Sequence, residues 1–124
     1  MKSGTYNKAV YWTEELQSKI DKAMSVHYRV KPTAHYREKA MWLDIPYGFY
    51  RAALFGEIVE VEYDSATDSI SKIITRLANR KNIMEDICTA IALEGNQATV
   101  KTIWINHGLD SHKTLRTENY VNEN

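Results

Sequence analysis

Residues 86–106 constrain this chain more than any other stretch. In 86–94 both alternating sets are apolar or small: Ile87, Thr89, Ile91 and Leu93 on one, Cys88, Ala90 and Ala92 on the other. A strand apolar on both faces belongs in the middle of a sheet. Gly95-Asn96 then gives a strong tight-turn signal. In 98–106, Ile103 and Ile105 alternate with Thr102, Trp104 and Asn106. A hairpin with a central first strand is therefore the expected heart of the fold, and the rest of the chain must flank and cover it.

Upstream, the hydrophobic period changes at Gly56. Before it the spacing is helical. Thr13, followed by Glu14 and Glu15, reads as a helix N-cap with acids in the first turn. Leu16, Ile20, Ala23 and Met24 share one face of that helix, which is expected to end near Val26. His27–Lys31 alternates briefly and Pro32 closes it, as an edge strand or an extended link. Thr33 is a second N-cap, for a helix to about Leu43 with Tyr36, Ala40, Met41 and Leu43 on its apolar side. Asp44 is expected to cap a short helix holding Phe49, Ala52, Ala53 and Phe55, with Pro46 near its first turn and Gly56 stopping it. After Gly56 the period becomes two: Val59, Val61 and Tyr63 oppose Glu60 and Glu62, and residues 70–78 form the next strand, with Ile70, Lys72, Ile74 and Arg76 sharing a face. The expected fold is α+β, with N-terminal helices on one face of a four-stranded antiparallel sheet.

The chain has 124 residues, enough for one domain, and 44% hydrophobic content, enough for one core. Lys+Arg 16 balances Asp+Glu 16, which argues against a strongly basic, sequence-blind nucleic-acid binder. The balance hides local bias: Arg29 to Arg51 and Lys72 to Lys81 are rich in cations, whereas Glu57, Glu60, Glu62, Asp64 and Asp68 form an acidic run. The single cysteine, Cys88, permits no internal disulfide, and a buried thiol is expected there. Met1-Lys2-Ser3-Gly4 leads into no apolar run and no stretch approaches a membrane span, so the cytosol is the expected location, without membrane partners.

The four histidines, His27, His35, His107 and His112, show no metal-ligand spacing. No metal or other cofactor is expected, and no glycine-rich phosphate loop or nucleophile elbow is visible. General acid–base cleavage of RNA is the chemistry the residue types suit. Two histidines can exchange base and acid roles near neutrality, and an arginine can fork onto the phosphate. His35 at a helix start, Arg76 in a strand and His112 in a polar segment past a strand end are the candidates, with Lys39 assisting. For Arg76 the competing reading is a cross-strand ion pair with Glu60 or Glu62.

The order of His35-x-x-x-Lys39, Gly56 to Asp64, Ile73-Ile74-Thr75-Arg76, Thr99 to Asn106 and Asp110-Ser111-His112-Lys113-Thr114-Leu115 resembles small phage and mobile-element proteins similar to RelE/BrnT-type ribonuclease toxins. The resemblance covers residues 33–120 and leaves 1–32 as an N-terminal helix and arm. It implies a RelE-like core and a metal-independent endoribonuclease. His35, Arg76 and His112 would be catalytic, with Lys39, Asn106, Thr114 and Tyr120 contacting RNA. Lys39 stands where many such proteins carry arginine. The alternative is a non-catalytic, phage-type inhibitor that binds a host or defence protein complex. Its supports are the acidic run, as a nucleic-acid mimic, and Tyr47, Phe49 and Tyr50 as anchors.

Overall fold

The computed structural model describes residues 14–107 apart from Ser65. Along the chain run α1 (Glu14–Met24), β1 (Arg29–Pro32), α2 (Ala34–Trp42), α3 (Phe49–Ala53), β2 (Glu57–Asp64), β3 (Ser69–Ala78), β4 (Glu85–Glu94) and β5 (Gln97–His107). The strands form one sheet in the order β1-β5-β4-β3-β2. β1 runs parallel to β5, and every other neighbour pair is antiparallel.

The α+β expectation holds, but the sheet is five-stranded and mixed rather than four-stranded and antiparallel. The added strand is the short alternation ending at Pro32. The Arg29 N–H donates to the Asn96 carbonyl (2.7 Å), and beyond the strand the Thr33 N–H donates to Val100 (3.1 Å). These bonds hold the segment against β5 as an edge. Proline, with no N–H to offer the ladder, is tolerated there. Because β1 follows α1 and precedes α2, the N-terminal helix is continuous with the domain: its Leu16 and Ile20 belong to the same core cluster as the sheet.

All three helices lie on one face of the sheet. Leu16, Ile20, Tyr36, Ala40, Tyr50 and Ala53 meet Val61, Ile73, Ile87, Ile91, Val100 and Ile103 there. β4 sits in the centre, as its two-sided apolar character predicts, and Cys88 is fully buried on its other side. Three irregularities alter the simple alternation. Val59 is an extra residue in β2 and Ser71 one in β3, while Lys101 is one in β5. A bulge moves every following side chain to the other face relative to the expected alternation. Ile58, Val61 and Tyr63 therefore share the helical face, and Val59 is buried outside that cluster. Ile70 likewise parts from Lys72, Ile74 and Arg76.

Two local details fix the helices on the sheet. The buried Thr75 hydroxyl donates to the Ala53 carbonyl of α3 (2.7 Å). Its proton is thereby committed, so the Thr89 hydroxyl at 2.7 Å is the donor to Thr75. Gly56 lets the chain turn from α3 into β2 directly over β3: a Cβ there would lie 2.9 Å from the Arg76 carbonyl oxygen.

Candidate functional site

Thr33 caps α2 as the sequence predicts. Its Oγ1 accepts from the Tyr36 N–H (3.0 Å) and donates to the Lys101 carbonyl (2.8 Å). The cap anchors α2 over β5 and turns Tyr36 and Ala40 inward. His35, on the outer side, is exposed, and it lines a shallow surface hollow with Lys39 and Trp42.

Arg76 stands elsewhere. Thr75 points to α3, so the next residue in β3 projects from the opposite face of the sheet. Arg76 Nε donates to Asp86 Oδ2 (2.6 Å), both side chains being largely buried. Asp86 is directly opposite Asn106 on β5. The structure thus brings Arg76 and Asn106 together around Asp86 on the face that no described helix covers. It does not bring His35 and Lys39 to them: those residues lie on α2, across the sheet and over β5. His112, Thr114 and Tyr120, like Thr13 and the polar tail, lie outside the described residues. The anticipated partner of Arg76 was Glu60 or Glu62, yet the ion pair goes to β4, while Glu62 pairs with Lys72 (3.6 Å). The Asn106 Nδ2 is buried without a hydrogen-bond partner.

The most unusual surface is at the end of the sheet where β3 leaves and β4 enters. Trp42 is 88% exposed, Met41 77%, Ile83 86%, Phe55 83% and Tyr47 53%. Scattered apolar residues are ordinary on a protein surface, but a concentration of large ones marks a contact surface. The scaffold beneath them is tied down. Lys81 Nζ donates to the Asp44 carbonyl (2.7 Å) and Oδ2 (2.9 Å), latching the α2–α3 loop to the β3–β4 loop. Asn79 Oδ1 accepts from the Lys81 N–H and Asn82 Oδ1 from the Met84 N–H, each at 3.0 Å, so side-chain turns brace the loop that presents Ile83. Between the two loops lies a cavity of about 340 Å³, walled by Leu43, Ile45, Pro46, Leu77 and Ile87, with Arg80 and Lys81 at its edge.

The anchors anticipated from the sequence divide here. Tyr47 is exposed, whereas Tyr50 is buried and Phe49 half-buried. Tyr47 and Tyr50 meet edge to face at 5.5 Å, and Arg37 lies over Tyr47 at 5.8 Å. Met41 was assigned to the buried side of α2, and Trp42 to neither side. The signal was available. Tyr36, Ala40 and Leu43 recur at i, i+4, i+7, and Met41 and Trp42 then fall off that stripe.

The core beneath this end carries one perturbed acid. Burial pushes the Tyr36 phenol from its ordinary 10.0 up to about 12, and the Tyr50 backbone offsets part of the shift without meeting hydrogen-bond geometry, so the hydroxyl lacks a partner. Among the described residues no three His, Cys, Asp or Glu side chains cluster as a metal site would require, and no helix is long and apolar enough to cross a membrane. No family model, curated protein or solved structure matches this chain.

Proposed function

We propose that this domain is a binding module that docks a protein partner through the end formed by the α2–α3 and β3–β4 loops. The carrying observation is the set of exposed apolar side chains flanking these loops, Met41 and Trp42 at the end of α2 and Ile83 in the β3–β4 loop, where the Lys81–Asp44 contact ties the two loops together. Large amphipathic anchors on a preorganised scaffold lose little side-chain entropy on binding and exclude water well. This reading favours a non-catalytic binding protein over a nuclease. The acidic run is a weaker contact surface than it looks in sequence, since Glu62 and Asp68 are paired with Lys72 and Lys19.

A photo-crosslinking residue at position 42, beside one at the exposed position 101 as control, tests the reading in lysate of cells that carry the gene. The expected outcome is one saturable crosslinked protein from position 42 only, competed by unlabelled wild type and not by Trp42→Ser. Equal labelling from both positions defeats it, as does crosslinking to nothing but a second copy of this chain.

Endoribonuclease activity is a second reading, favoured by the juxtaposition of Arg76 and Asn106. In that case His35 is dispensable, and the acid–base groups come from the chain beyond His107, including His112. Cleavage of cellular RNA in chelator that survives His35→Ala and disappears in Arg76→Ala supports it. No cleavage by the wild type removes it.

A further inference from the structure

The cavity between the α2–α3 and β3–β4 loops differs in chemistry from the aromatic surface around it. Its walls are mostly aliphatic, Leu43, Ile45, Pro46, Leu77 and Ile87, with Phe49 beside them. Its volume of about 340 Å³ is at the small end of ligand-sized pockets, which suits one or two inserted side chains better than an extended cofactor. Charges of both signs stand at its edge, where Asp44 answers Lys81 and leaves Arg80 as the unmatched cation among the lining residues. Arg80 is exposed and makes no ion pair among the described residues.

Resting on the docking reading above, we infer that this cavity receives a leucine-like side chain from an acidic segment of the partner, with a neighbouring carboxylate paired to Arg80. An aliphatic pocket rewards burial of a branched apolar side chain, and a guanidinium at its mouth takes a carboxylate in a two-pronged bond. A nucleic acid fits less well, because its phosphates and bases would leave the aliphatic walls unfilled.

The probe is a fluorescein-labelled peptide with one leucine flanked by glutamates. Its controls are the same peptide with glutamines for glutamates, the same peptide with glycine for leucine, and a labelled oligouridine. Anisotropy with the full chain measures affinity, and backbone amide shifts of Leu77 and Ile87 report the site. The expected result is binding by the acidic leucine peptide alone, moving both amides and weakening with salt. Arg80→Glu should weaken it by about tenfold or more. Ala52→Trp, which fills the cavity from the exposed side of α3, should abolish it while the circular dichroism spectrum stays unchanged. Equal binding by the glutamine peptide, indifference to both substitutions, still amides, or tighter binding of oligouridine each overturns the inference. The docking reading fails separately: if position 42 still captures its partner while the peptide ignores the cavity, only the inference about this pocket falls.

Discussion

The two ends of the sheet are finished differently. At the end carrying the β2–β3 and β4–β5 turns, charges are answered within the chain. Lys19 bonds Asp68 at 2.9 Å and sits 5.3 Å over the Tyr63 ring. Tyr63 donates its hydroxyl to the same carboxylate, and the hydrogen bond to Asp68 holds the Lys19 ammonium above its ordinary range. At the other end Trp42, Met41, Ile83 and Phe55 face outward, and Arg80 makes no ion pair among the described residues. Among the described residues the first end pairs its Lys19 with Asp68, whereas the second leaves large apolar side chains and Arg80 exposed, and the docking proposal rests on that difference.

The contrast predicts that substitutions just under the end with the exposed apolar residues are costly while those on its surface leave folding untouched. Thr75→Val should have the largest effect, about 2–3 kcal/mol, because it strands both the Ala53 carbonyl and the Thr89 hydroxyl. Urea denaturation followed by circular dichroism measures it. A loss near zero would mean that α3 is not held by this bond. Gly56→Ala comes next at about 1–3 kcal/mol, since the Arg76 backbone beneath it cannot retreat as a side chain would.

Tyr36→Phe should go the other way and gain about 1 kcal/mol by removing a buried hydroxyl with no partner. It also has a pH signature. The folded state keeps the phenol neutral, so wild-type stability is complete below the ordinary pKa of 10.0 and falls as pH rises toward about 12. The phenylalanine variant should flatten that alkaline decline in a series of denaturation curves, and an unchanged slope would assign the decline to other groups. At the self-contained end, Lys19→Met should lower Tm slightly, and the difference from wild type should shrink in high salt. Trp42→Ser should be the smallest, within about 0.5 kcal/mol in folding stability. A large loss there would show that the tryptophan serves the fold and would erase the contrast.

The strands and the α2 cap were legible because each rests on a short-range rule: period, turn residue, N-cap. The central position of β4 followed from its apolar character on both sides. Bulges at Val59, Ser71 and Lys101 were not legible, since one extra residue leaves composition intact while reversing which side chains face the helices. The parallel edge β1 was hidden for another reason: four residues carry little periodicity, and their partner lies far along the chain. Of the site, Arg76 and Asn106 were each assigned to a strand, but their meeting around Asp86 and their separation from His35 depend on strand register and tertiary layering that alternation does not encode. The exposed apolar pairs Met41-Trp42 and Ile83-Met84 stand in the sequence as well, but Met41 was assigned to the buried side of its helix, because a nine-residue helix leaves the edge of its apolar stripe loosely defined. Tyr50 and Phe49 drew attention by type, whereas exposure depends on which side of a five-residue helix each occupies.

The parallel pairing of Arg29 with Gln97 also sets an order of assembly. During synthesis the early edge segment has no ladder to join until β5 has left the ribosome, so α1 and α2 wait, tethered on either side of an unpaired stretch. Closing that register joins segments distant in the chain, a slow class of folding event. A nascent chain stopped before β5 would leave the apolar flanks of β4 open to chaperones or to other chains.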